Sequence, residues 1–289
     1  MTMHMMSRLA SASRCAFAAI AIAATTPAAA EPAPAVYAIV YENDVFAGSD
    51  RRYTSGIKHQ FLSAEGRGRR LAAMLLRAGP GDDTRWGVGA GQSIFTPDDI
   101  SAAAPLPGQQ PYAGWLYVEA TSVVVRESGA ADILKIAAGV IGPWSLAEDT
   151  QRTLHRSFNF IDPAGWANQL GNEPAFVASF DRQWRPRRQG RGFGAEILPH
   201  AGVSAGTVLT EARLGATFRI GSNLDAAGAP ARVAPSLPAS GAFGGEGLAW
   251  QIFAGAQGRS VAHNIFLDGS TFRDSLSVEK NTFVGEFQA

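Results

Sequence analysis

Val208 to Gly221, VLTEARLGATFRIG, alternates apolar and polar side chains along its whole length. One face of such a segment carries Val208, Thr210, Ala212, Leu214, Ala216, Phe218 and Ile220. The other carries Leu209, Glu211, Arg213, Gly215, Thr217, Arg219 and Gly221. Side chains of a strand point alternately to its two faces, so this period of two predicts a strand with one apolar and one charged face. Gly192 to His200 repeats the pattern, with Phe193, Ala195 and Ile197 against Glu196 and His200. Ala249 to Arg259 repeats it again, with Trp250, Ile252, Ala254 and Ala256 against Gln251, Gln257 and Arg259. Strands of roughly ten residues with an apolar outside and a polar inside are what a transmembrane barrel requires. A soluble sandwich also alternates, so the pattern alone leaves both folds open.

The N-terminus argues for export. Met1 to Arg14 is short and cationic, Cys15 to Ala24 is apolar, and Thr25 to Ala30 ends in three alanines. These are the three parts of a secretory signal peptide. The apolar run is shorter than the roughly 20 residues of a spanning helix. Cleavage after Ala30 makes residues 1–30 a signal peptide and residues 31–289 the mature domain. The only cysteine, Cys15, leaves with the signal, and with it any disulfide or thiol chemistry. Of 25 basic residues two leave, Arg8 and Arg14, and no acid does, so 23 basic side chains face 25 acidic ones. That balance excludes an electrostatic case for nucleic acid. No later apolar run is long enough for a spanning helix, but an exported chain can still cross a membrane if its strands close and pair every backbone group. The expected fold is all-β, an antiparallel outer-membrane barrel.

Strands are expected at 36–46, 53–63, 84–95, 112–126, 131–142, 175–185, 192–203, 206–220, 247–259 and 275–288, ten in all. A short amphipathic helix is expected at 66–78, helical structure within 143–174, and an Ala-, Pro- and Gly-rich loop at 222–245. In an antiparallel meander the end of each odd strand and the start of the next even strand share one rim. Six polar motifs fall there: Glu42-Asn43-Asp44; Asp50 to Gly56; Gln92 with Thr96 to Asp99; Pro111 to Gly114; Gly139 to Pro143 leading to Gln151 and His155; and Asn172-Glu173-Pro174.

The rim thus gathers an imidazole, a carboxylate, amides and a hydroxyl. Asp44 and the Asn43 carbonyl are hard oxygen ligands of the kind Ca²⁺ takes. His155 could act as general base on a water, because imidazole exchanges protons near neutrality. A cation beside it could polarise an ester carbonyl and hold the oxyanion. Gln151 precedes His155 by four residues, so one helix would put both on one face. A lone histidine in a connection and an aspartate at a strand end also serve as plain surface and turn residues. Gly202 to Gly206 fits G-x-S-x-G, which would make Ser204 the nucleophile of a serine esterase. That elbow needs a helix after it. The alternating segment that follows predicts a strand, so the motif reads instead as a hairpin turn.

Together these motifs resemble the outer-membrane lipid A 3'-O-deacylases. The matching segments are YENDVFAGSDRRYTSGIKHQF (41–61), GQSIFTPDDI (91–100), PYAGW (111–115), GVIGPWSLAEDTQRTLHR (139–156), GWANQLGNEPAF (165–176), PHAGVSAGTVLTEARLGATFRIGSNL (199–224) and NIFLDGSTFRDSLSV (264–278), in order along the mature chain. The resemblance implies a monomeric twelve-stranded barrel in the outer membrane with a short helical extracellular loop. Ten strands are visible, so two would be missing after Ala289. It also implies Ca²⁺-dependent hydrolysis of the ester that holds the 3'-linked acyloxyacyl chain on lipid A of lipopolysaccharide, by a histidine-activated water. Carried over by motif, His155 and Gln151 belong to the Q-x-x-x-H stretch, Asn43 and Asp44 to the Asn-Asp pair that would hold the metal, and Thr54 to the Tyr-Thr-x-Gly stretch. The chain departs from the pattern twice. Residues 98–110 contain no base where a lysine is expected, and Gly171 replaces a histidine before Asn172-Glu173-Pro174. Arg51, Arg52 and Arg156 are the candidates for a phosphate contact. Besides the hydrolase, a non-catalytic barrel (a pore or adhesin) fits the same scaffold.

Overall fold

The computed structural model describes residues 33–43, 55–185, 192–224 and 250–288, with the backbone alone for Glu42, Asn43 and Gln288. The expected signal peptide, Asp44, Thr54 and most of the 222–245 loop lie outside the described residues. Ten strands are present: β1 (Val36–Asn43), β2 (Ser55–Leu62), β3 (Asp83–Phe95), β4 (Ala113–Val125), β5 (Ala131–Ile141), β6 (Glu173–Gln183), β7 (Phe193–Gly206), β8 (Leu209–Ser222), β9 (Trp250–Asn264) and β10 (Phe283–Gln288). They form one antiparallel meander in which each strand pairs with its neighbours in sequence. Helix α1 (Arg69–Leu76) joins β2 to β3, α2 (Ala147–Phe158) joins β5 to β6, and the one-turn α3 (Ile265–Asp268) follows β9.

The alternation translates into an inside-out wall. On β8, Leu214 is 67 % exposed while Arg219 is fully buried. Ile197 on β7 and Ile252 on β9 face outward in the same way, and Glu196 and His200 face inward. Apolar side chains outside and charged ones inside suit lipid around the wall and a polar lumen within it. The inner charges neutralise one another across strands. Arg213 joins Asp181 at 2.7 Å and Glu211 at 2.6 Å, Arg259 reaches Glu211 and Glu286, and Arg219 holds Glu196 at 2.7 Å. Among the described residues no helix is long and apolar enough to cross a membrane.

Two expectations are corrected. Gly202 to Gly206 is not a turn: it lies within β7, and Thr207-Val208 make the hairpin. Gly202 leaves room for an ion pair passing over it, since a Cβ there would stand 2.3 Å from Asp181 Oδ1 and 2.8 Å from Arg213 Nε. Ser204 points inward, exchanges a 2.9 Å hydrogen bond with Ser179 Oγ and accepts one from Arg213 Nη1. A serine in mid-strand bonded to an arginine is no nucleophile elbow, which removes the Ser204 esterase reading. The last strand also starts at Phe283 rather than 275. Asn264 caps α3 by accepting from Phe266 N, and Asp268 accepts from Asn264 N at 2.8 Å and from Lys280 Nζ at 2.5 Å. These bonds fold 264–280 back on itself before β10 can begin.

Candidate active site

Among the described residues, the candidates on α2, Gln151 and His155, lie on the outer side of the wall. On β3, Trp86 and Val88 point outward and are exposed; Ile94 shares their parity yet is only 2 % exposed. The register aligns Asn43 with Ser55, Ser55 with Ile94 and Ile94 with Gly114, one row across β1 to β4. The segment after β5 covers the β3 and β4 end of this row. Pro143–Ser145 forms a 3-10 turn, and α2 follows. At Gly114 a Cβ would lie 2.1 Å from Ser145 Oγ and 2.2 Å from Ala147 Cβ, so only glycine lets the turn and helix sit flush on the wall. Gln92, also outward, donates from Nε2 to the Ser145 carbonyl at 2.6 Å.

Local sequence explains α2. Glu148 and Asp149 occupy its first turn and His155 and Arg156 its last, which complements the helix dipole. Asn159 in the left-handed region (φ 56°) ends it. Ala147, Gln151 and His155 follow at four-residue steps down one face. Ala147 packs with Ile94, Ile100, Tyr112 and the fully buried Trp166.

Gln151 is 2 % exposed; its Oε1 accepts from Trp166 Nε1 at 2.8 Å, and its Nε2 has no partner among the described residues. The indole fixes which way the amide faces, leaving a buried donor aimed with nothing yet to bind. One turn on, His155 Nδ1 lies 2.5 Å from the carbonyl of Ile161. A carbonyl only accepts, so the proton sits on Nδ1 and the Nε2 lone pair is left for a substrate or water. Phe160 packs edge-on against the imidazole at 5.7 Å.

Thus the structure brings together His155 and Gln151 and sets the backbone of Asn43 at the far end of the row whose β3 and β4 end lies under α2. Asp44 and Thr54 are outside the described residues. Among the described residues no group of three or more His, Cys, Asp or Glu is placed to hold a metal. The Asn43 amide and Asp44 carboxylate do offer the hard oxygens that suit Ca²⁺.

Two residues escaped the sequence reading. Trp166 orients Gln151, and only its place in GWANQLGNEPAF pointed to it. Arg273, from the connection before β10, lies over Gly171, where a Cβ would meet its Nη1 at 2.9 Å, and it donates to the Asn172 carbonyl. The expected histidine is absent at Gly171, and the guanidinium takes its space. Arg156 is largely exposed at the end of α2, 4.0 Å from Asp162.

Comparison with known proteins agrees with this architecture. The family described as "Outer membrane protein LpxR" matches residues 14–289. Among solved structures, the chain is similar to LpxR from Salmonella typhimurium at 20 % identity and a TM-score of 0.67, over 82 % of this chain and 77 % of that one. No curated protein matches the sequence. The chain belongs to the LpxR family of outer-membrane lipid A 3'-O-deacylases, which are ester hydrolases.

Proposed function

We propose that this chain removes the 3'-linked acyloxyacyl group from lipid A by hydrolysis at the α2 site. The observation that carries the reading is the Nδ1–H of His155 donating to the Ile161 carbonyl, which leaves Nε2 as a base. In this reading Nε2 takes a proton from water as the oxygen attacks the ester carbonyl, then returns it to the departing sugar oxygen. Gln151 Nε2 offers a hydrogen bond to the substrate or to that water. Thr54 would offer a hydroxyl to the same substrate. Asn43 and Asp44 would hold Ca²⁺, which would supply positive charge to polarise the ester carbonyl and steady the oxyanion. A site on the outer side of the wall suits a substrate whose acyl chains lie in the surrounding leaflet. The α2 rim would face the cell exterior, residues 1–30 would be removed on export, and the barrel would act as a monomer.

The test is the mass of lipid A from cells expressing the protein, with and without a Ca²⁺ chelator. The expected result is loss of one acyloxyacyl group, abolished by chelator and by His155→Ala. Unchanged lipid A, or full activity in His155→Ala, overturns the proposal.

A further inference from the structure

Helix α1 has an apolar edge and a basic edge that the catalytic reading leaves unused. It sits at the rim opposite α2, between β2 and β3. Ala72 and Leu76 bury themselves against Val124, with Leu134 and Phe180 alongside. Those three share the outward parity of Val118, Ile136 and Phe176, all exposed to the lipid side. So α1 lies on the outer surface of the wall and does not plug the lumen.

It is also firmly fastened. Arg126 donates to the Leu76 carbonyl at 2.5 Å and the Arg77 carbonyl at 3.1 Å, and it pairs with Asp82 at 2.9 Å and Asp132 at 2.6 Å. The Asp82 carboxyl is held below the ordinary aspartate range: burial opposes ionisation, but the Gly79 and Glu127 amides and the Arg126 guanidinium outweigh it.

At 3.6 residues per turn, Leu71 and Leu75 fall on one flank of the buried edge, and Met74 falls opposite that edge, one turn from Arg70. Their exposures are 44 %, 43 % and 72 %. Arg69, Arg70 and Arg77 fall on the other flank, and residues 66–78 hold four arginines and no acid. Such a helix, apolar on one edge and basic on the other, lies in the plane of a membrane interface. The lipid-facing wall continues onto it: Trp86 pairs with Phe61 at 5.5 Å, and its ring abuts Gly68 at the start of α1. Aromatic residues at this level mark the boundary between lipid and headgroup.

We infer that α1 is an interfacial anchor for the periplasmic leaflet, with Leu71 and Leu75 among the acyl chains and Arg70 and Arg77, with Arg67 just before the helix, against anionic phospholipid headgroups. The charge favours this occupant over a second copy, whose own arginines would repel. It also makes the two membrane faces of the protein chemically distinct: a lipopolysaccharide site on one rim, a phospholipid anchor on the other.

Residues 31–289 contain no cysteine, so single substitutions label cleanly. Leu75→Cys and Arg70→Cys, each carrying a nitroxide, are reconstituted as full barrels in vesicles of phosphatidylethanolamine and phosphatidylglycerol. Relaxation by oxygen relative to an aqueous nickel chelate is expected to be several-fold greater at 75 than at 70. Leu71→Cys repeats the measurement on the same flank should Leu75→Cys fold poorly. Native mass spectrometry should show more phosphatidylglycerol than phosphatidylcholine retained, with the excess lost when Arg67, Arg70 and Arg77 become glutamine. Equal chelate access at 75 and 70 overturns the inference. So does shielding of 75 from both relaxants, which would indicate a protein partner, or the absence of any headgroup preference.

Discussion

His155 and Gln151 divide the labour of one helical face: the first keeps a proton where a carbonyl can hold it, and the second keeps an amide where an indole can orient it. Both depend on neighbours that no spacing rule reveals. The Ile161 carbonyl returns to His155 because Asn159 turns the chain left-handed, and Trp166 reaches Gln151 from a separate 3-10 turn. Trp166→Phe keeps the ring and removes the Nε1 donor. A buried acceptor left unpaired costs about 1–3 kcal/mol, enough to let the amide rotate. Lipid A deacylation should fall by roughly ten-fold or more on that scale, while the heat-dependent gel mobility of the folded barrel is retained. The pairing of His155 with Gln151 was legible in the sequence, because four residues on a helix is one turn. Arg273 was not, because it arrives from about a hundred residues away to fill the space left by Gly171.

At the level of elements, period-two patterning carried far. Nine of the ten strands start within a few residues of where alternation placed them, because each alternating stretch must split between lipid and lumen. The misreadings have local causes. The Gly202 to Gly206 stretch suggested a turn, but there glycine serves a side chain crossing above it. The start of β10 was displaced by a cap and an ion pair that alternation does not register. The seating of α2 depends on the missing side chain at Gly114. Gly114→Val should lift the 3-10 turn and α2 from the wall and abolish deacylation while β3 and β4 stay paired, visible as faster amide exchange confined to 143–158. The α3 clamp carries a pH dependence. Burial opposes ionisation of Asp268, but Lys280, the Asn264 amide and His263 outweigh it and hold the carboxyl low. A carboxyl lowered on folding stabilises the fold above its unfolded value, and that contribution is lost as pH falls through its folded value. Amide exchange at 264–269 should therefore accelerate only in strong acid, below the usual aspartate range. In Asp268→Asn it should already be fast at neutral pH.

For the whole molecule, the lumen is as informative as the outer wall. Arg213, Asp181, Glu211, Arg259 and Glu286 form a continuous charge chain across β6 to β10, and Lys58 meets Glu119 at 3.5 Å on the other side. Such pairs tie the inner face of the wall together across strands, as a lumen filled by its own side chains would require. Purified protein in planar bilayers should show no step conductance; open-channel steps would favour the pore reading of the same scaffold.

Placing α2 outside the wall has a consequence for how substrate arrives. A molecule held in the leaflet meets this helix by sliding sideways, without extracting its chains into water. Its encounter frequency is then set by how many such molecules occupy each unit of membrane area. Diluting them among inert lipids would slow turnover even at a constant amount per volume, so the packing of the outer leaflet itself would act as the rheostat.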